Sequence, residues 1–594
     1  MFSSRFSALK QNPQAYSPFP SDKPAWDSLP SEARAFLVEK GDAALELPWQ
    51  ELTACDYLDF TRTGTRVFFE KKYFARRHLL NDLVMAEMAD RQQKYLDAIV
   101  NGVWSICEES GWQLPSHNAY IRDTPQLPLP DPDRPVLDLF ACETAAQIVL
   151  VYHLLKEELE ARAPGITSRI LNEINHRIIT PYLNEHFWWM GNGDEPMCNW
   201  TPWCTQNVLL AAALTPQSDE TRLLICKKAA YSLDCFLKDY DEDGCCDEGA
   251  KYYGHAALCL YVSMEALNGM TNGFFDVLYK EPKICNIADF IRQVHVHENY
   301  YINFADCPAL LEPPGVLAYL FGKRTDNPHL SAFAAEGIQG AGCFKPSADL
   351  SLYTRLATIF ASEEISTHTA KPEPPEDRYF DGVGIFIARD ERFCLAVKTG
   401  DNDDNHNHND TGSIILYTNG KPFLVDAGVG EYTRDTFSSR RYSIWTMQSA
   451  YHNLPTFAGI MQEPGADYKA TNINHSFGGD EASVSFDISG AYPKKAGVLQ
   501  YLRTVCLKKG KGVFITDTYS GAHPATLSLM LDSRPVINGN SIQVPSRGQI
   551  TVQGADSIVM EHISVTDSIL QKVWSDSLYR LLIAFSHKLD LTIF

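Results

Sequence analysis

Hydrophobic residues fall into two regimes along the chain. From about Ser31 to Ala361 they recur at i, i+3, i+4 and i+7, the spacing of an apolar stripe on a helix. The pattern predicts helices over 79–107, 137–160, 168–187, 207–214, 220–240, 254–267 and 275–294, most of them separated by short loops of Gly, Pro, Asn or Asp. Successive helices with short connections make antiparallel pairs, stacked into a ring or superhelix. No strict sequence repeat is present, which favours an irregular toroid over a repeat solenoid. Near 367–380 (THTAKPEPPEDRYF) a Pro- and Glu-rich linker intervenes and the period changes to two. Runs such as RFCLAVKTG, GSIILYTNGKPFLVDAG, ASVSFDISGAY and LQYLRTVCLKKGKGVFITDTYS are β-branched or alternating, and turn residues bound them. The Asn-Gly inside YTNGKPFLVD is a strong hairpin signal.

The expected organisation is therefore an extended lead-in over 1–30, a helical domain over 31–366, a linker over 367–380 and an antiparallel β-sandwich-type domain over 381–594. A cleft between the two large domains is the natural place for a ligand. A chain of 594 residues is too long for one hydrophobic core, which agrees with this division.

Composition narrows the function classes. With 45% hydrophobic and 21% charged residues the chain reads as an ordinary globular protein. No apolar run reads as a bilayer span, and the first twenty residues lack the apolar core of a signal peptide. A cytoplasmic location is the expectation, or a periplasmic or secreted one if a leader has been trimmed away. The fifteen cysteines contain no CxxC pair and read as reduced thiols. A formal charge of −22 argues against nucleic acid as partner. It also requires that any anionic substrate be met by local positive charge.

The candidate chemistry is concentrated between Asp401 and Asn453. If DNHNHND is strand, His406 and His408 share a face about 6.6 Å apart. Asp426 follows the hairpin strand FLV, and His452 returns through the loop after it. Two imidazoles and a carboxylate suit zinc, with manganese as the alternative. If only His408 of the pair binds metal, His406 is free to act as a base. A cupin reading of the HxH pair is weakened because position 412, where a Glu belongs, is Gly.

These residues resemble the heparinase II/III-like polysaccharide lyases. The motifs are HNHNDTGSIILYTNGKPFLVDAGVGEYT and WTMQSAYHNLP, joined by NWTPWCTQNVLLAAAL (199–214) and DEDGCCDEGAKYYGHA (241–256). The resemblance implies an (α/α) toroid followed by an antiparallel β domain. It also implies cleavage of uronic-acid-containing polysaccharides by β-elimination, with glycosaminoglycans foremost. By the same resemblance Asn199 binds the uronate carboxylate, Tyr252 is the catalytic tyrosine, and His406 moves a proton. His408, Asp426 and His452 hold one divalent metal. Tyr253 is the rival to Tyr252, and Trp200 stands where some relatives carry His. Around these, Trp200, Trp203, Glu248, Tyr432, Arg440, Arg441 and Tyr442 are candidates for substrate contact, arginine because its planar fork matches carboxylate and sulfate. Alginate or oligoalginate lyase, metal-dependent glycan hydrolase and non-catalytic glycan binding are the alternatives. His117 and His255 read more naturally as structural histidines, and nothing in the pattern gives Asp306 a role.

Overall fold

The computed structural model describes residues 1–345, 349–433, 435–436 and 438–594. The chain forms two compact units. The first comprises Met1–Tyr240, Gly254–Ala288 and Pro313–Pro372; the second comprises Asp241–Tyr253, Asp289–Glu312 and Glu373–Phe594. Two segments inside the expected helical domain are thus packed with the sheets, and the helical periodicity that placed them carried no information about that.

The helical unit is built from paired helices. Leu139–Arg162 packs on Trp200–Leu214, which also packs on Asp219–Asp239, and Ser31–Leu45 packs on Val67–Asp90. Leu139–Arg162 is apolar on most faces because its neighbours bury most faces. By length and composition it would also suit a bilayer, but 78% of its apolar window is buried inside the fold. The expected helix over 168–187 is broken into Ile166–Ile174, a π turn and Thr180–Asn184. The one over 275–294 is a 3-10 turn, Asp276–Lys280, and then a helix that starts on Pro282. Proline suits that first position because its missing N–H has no helical partner there.

Among the described residues the second unit holds antiparallel sheets of eight, five and four strands and two small two-stranded ones. The five-stranded sheet runs Arg378–Phe380, Ile385–Arg389, Phe393–Lys398, Ile414–Thr418, Lys421–Leu424 in spatial order. The hairpin of its last two strands turns on Asn419 and Gly420, both with positive φ, as an Asn-Gly turn requires. One apolar core joins the sheets, with Phe386, Leu395 and Leu416 of the five-stranded sheet packed with Val505, Ile515, Leu527 and Leu581. All fifteen cysteines are free thiols, and most are buried.

Candidate active site

The segment 303–307 is the floor of the site. Asn303 Nδ2 donates to the carbonyls of Asp426 (3.1 Å) and Cys307 (3.3 Å). Ala305 has φ +64°, which reverses the backbone just before Asp306. Glycines allow the neighbouring chains to approach this turn. A Cβ on Gly249 (φ +87°) would lie 2.7 Å from the Phe304 carbonyl oxygen, and one on Gly428 (φ +74°) would lie 2.7 Å from that of Cys307.

The HxH pair is not on a strand. Residues 403–413 form a loop, and His406 has φ +56°. The cause is an ionic staple: Lys398, at the end of the strand Phe393–Lys398, reaches both Asp404 and Asp410 at 2.7 Å. Its ammonium is fully buried, and the two carboxylates raise its pKa against the opposing effect of burial. The staple pinches the loop so that both histidines still arrive at one place, the carboxylate of Asp306.

Asp306 is fully buried and receives four donors. His408 Nε2 lies 3.0 Å and Arg441 Nη2 2.6 Å from Oδ1. His406 Nδ1 lies 2.8 Å and the Tyr432 hydroxyl 3.1 Å from Oδ2. Burial works against its charge, but the bonds from both histidines and the charge of Arg441 hold it well below the usual carboxylate range. No local pattern marks Asp306, because its partners lie 100 or more residues away.

Tyr252 ends a short 3-10 turn, Ala250–Tyr252. Its ring stacks on His406 with centroids 4.4 Å apart, and its hydroxyl lies 2.7 Å from that of Tyr432. Tyr253 begins the next helix and is buried near Asp289 and Tyr301, so geometry favours Tyr252 for chemistry. Burial pushes both site phenols, Tyr252 and Tyr432, well above their ordinary pKa, and nearby Asp306 adds to this. Both are therefore protonated at neutral pH. Glu248 is buried, with Oε2 3.3 Å from His406 Nε2. Burial lowers the His406 pKa, but its bonds to Asp306 and Glu248 outweigh this and raise it to about 9.

The arginines expected to meet substrate are engaged internally. Arg441 binds Asp306 and the Asn407 carbonyl (2.8 Å). Arg440 is paired with Asp435 at the surface. Tyr442 accepts a hydrogen bond from Asn407 Nδ2 at 3.0 Å and so braces the same loop. Among the described residues Lys251, which sequence reasoning missed, is an exposed cation at the phenols. It stands 5.0 Å from the Tyr432 ring centroid and 5.6 Å from that of Tyr252.

His408, Asp426 and His452 come together, buried, with one donor atom from each within 4.8 Å of the others. His452 Nδ1 is 3.0 Å from Asp426 Oδ2 without the alignment of a hydrogen bond. Among the described residues, His408 Nδ1 and His452 Nε2 also have no hydrogen-bond partner. Unpaired buried polar atoms are costly, and two atoms on a tetrahedral zinc lie about 3.3 Å apart at normal bond lengths. The donor set and its unsatisfied atoms fit a zinc or manganese ion.

Within the helical unit, Asn199 is buried and immediately precedes the helix Trp200–Leu214. The Trp200 ring meets His117 edge-on at 4.7 Å. Trp203 stacks on His255 at 4.1 Å and donates to Glu143 at 2.9 Å, which makes it part of that unit's packing. His117 is held by Asp138 at 2.8 Å.

A helical toroid followed by an antiparallel β-sandwich is the architecture these units define, and it is also that of known solved structures. The structure of heparinase III matches with a TM-score of 0.64 at 14% identity, covering 100% of this chain and 88% of that one. A mutant of the heparan sulfate lyase HepC from Pedobacter heparinus matches at 0.58 and 13%, covering 100% and 87%. Chondroitin AC lyase of Streptomyces coelicolor A3, in complex with chondroitin sulphate, matches at 0.54 and 10%, covering 96% and 82%. No curated protein sequence matches. Residues 372–580 match the family model "Heparinase II/III-like, C-terminal". Over these residues the chain is similar to the C-terminal domain of the heparinase II/III-like family.

Proposed function

We propose that this protein is a lyase of glycosaminoglycan-type polysaccharides, cleaving the bond at O4 of a uronate by β-elimination. The observation that carries the reading is the stack of Tyr252 on His406, with both joined through Tyr432 and Asp306 to one hydrogen-bonded network. Elimination needs a base for the C5 proton and an acid for O4. It also needs the uronate carboxylate to be neutralised as charge builds up.

The phenol of Tyr252 is protonated and is the donor to O4; Tyr432, 2.7 Å behind it, can replace the proton. His406 starts charged, with Nε2 beside Glu248. It passes that proton to Glu248 and takes the C5 proton at Nε2. The C5–H electron pair becomes the C4=C5 double bond, the C4–O4 bond breaks, and O4 leaves with the Tyr252 proton. Lys251 is the exposed cation to draw in the uronate carboxylate, and Asn199 is its hydrogen-bonding partner by resemblance. A bound divalent ion would supply positive charge and rigidity at His408, Asp426 and His452.

The test is a panel of heparan sulfate, chondroitin sulfate, hyaluronan and alginate, followed by ultraviolet absorbance of the unsaturated uronate and by product sizing. Absorbance with a glycosaminoglycan is the expected result. Absorbance with alginate alone would move the substrate class, and none with any polymer would sink the reading.

A further inference from the structure

The network contains two histidines with different tasks and one carboxylate between them. A neutral imidazole carries one N–H, and a nitrogen facing an ionised carboxylate must be the one that carries it. His408 turns Nε2 to Asp306 Oδ1 at 3.0 Å, so its lone pair is on Nδ1, the atom with no hydrogen-bond partner among the described residues. His406 turns Nδ1 to Asp306 Oδ2 at 2.8 Å, which leaves Nε2 for proton exchange. Two residues apart, the rings approach one carboxylate through opposite nitrogens, and the positive φ of His406 is the backbone reversal that permits it.

We propose that Asp306 is the positioning residue that sets both tautomers, presenting His408 to a divalent cation through Nδ1 and His406 to the substrate through Nε2. Arg441 on Oδ1 and Tyr432 on Oδ2 hold the carboxylate against rotation, so each oxygen has two donors and its lone pairs are filled. The cation half of this inference stands by itself; the substrate half rests on the lyase reading.

The two halves separate in Asp306→Asn. An amide has one acceptor oxygen, and the charged Arg441 with His408 claims it. The NH2 group then faces Tyr432 and His406, whose Nδ1 must become an acceptor and whose Nε2 must keep its proton. Zinc affinity, read by competition with a chromophoric chelator, should stay within about threefold of wild type, while kcat falls at least about 100-fold with KM within about threefold. Asp306→Ala should lose zinc affinity by about 10- to 100-fold as well as activity. Zinc bound equally well by Asp306→Ala, or not bound by wild type, would overturn the cation half. A kcat for Asp306→Asn within threefold of wild type would overturn the substrate half. The chelator measurement needs no turnover, so a protein inactive on every polymer would defeat the lyase reading and leave the cation half decided. If Asp306→Ala does not fold, Asp306→Asn still decides the substrate half, and Asp306→Ser, which takes the ionised acceptor from His408 Nε2, replaces it for the cation half with the same loss of zinc affinity expected and unchanged affinity overturning it.

Discussion

Tyr252 lies flat against His406, with ring centroids 4.4 Å apart and an interplanar angle of 22°. The phenol oxygen is what distinguishes this pair from simple packing. Tyr252→Phe keeps the stack and removes the donor to O4. We expect kcat to fall by at least about 100-fold with an unchanged melting temperature. Activity within tenfold of wild type would show that another group protonates O4.

Lys251 is exposed above both phenols, whereas Arg441 and Arg440 are already paired. Lys251→Ala should raise KM for a uronate polymer about tenfold and leave kcat within about threefold, with a weaker salt dependence of kcat/KM. An unchanged KM would remove Lys251 from the substrate path.

The buried donors of His408, Asp426 and His452 should make the metal a source of stability. Dialysis against a chelator should lower the melting temperature by several degrees, and added zinc should restore it. His452→Ala should melt low under both conditions. A melting curve indifferent to chelator in the wild type, with no metal found by elemental analysis, would argue against a bound ion.

Asp247 gives a pH signature. Loss of hydration, and then the charge of Glu248, raise its pKa to about 7. In an unfolded chain it would titrate at about 3.9. Between these values the folded state holds the extra proton, so stability falls as pH rises from about 4 to 7 and the cost is fully present above that window. Asp247→Asn keeps an acceptor for Asn405 Nδ2, now at 2.7 Å from Oδ2, and removes the charge. The variant should melt higher than wild type at pH 8, with a flatter loss between pH 4 and 7. Parallel melting profiles across that range would refute the assignment.

The sequence revealed what is local and periodic. The Asn-Gly hairpin, the switch from helical to alternating period, and the convergence of His408, Asp426 and His452 were all legible, because turn chemistry and strand pairing act over a few residues. The reading of His406 and His408 as strand neighbours failed for a different reason. Lys398 is tied to Asp404 and Asp410 across the loop, and no period records such an ion staple. Arg441 looked like a substrate ligand because its type fits carboxylates. The carboxylate it meets is Asp306, a residue of this chain 135 positions earlier.

Segments 241–253 and 289–312 lie early in the chain but belong with the sheets. This sets the order in which the protein can become active during synthesis. Tyr252, Glu248 and Asp306 leave the ribosome at least 100 residues before His406, and 126 to 184 residues before Tyr432. Until then the nascent chain must carry the Asp306 turn and the Tyr252 segment without their partners, a long-range closure of the kind that slows folding. A ribosome stalled before His406 would hold helices that can already pair and an Asp306 with none of its four donors yet made.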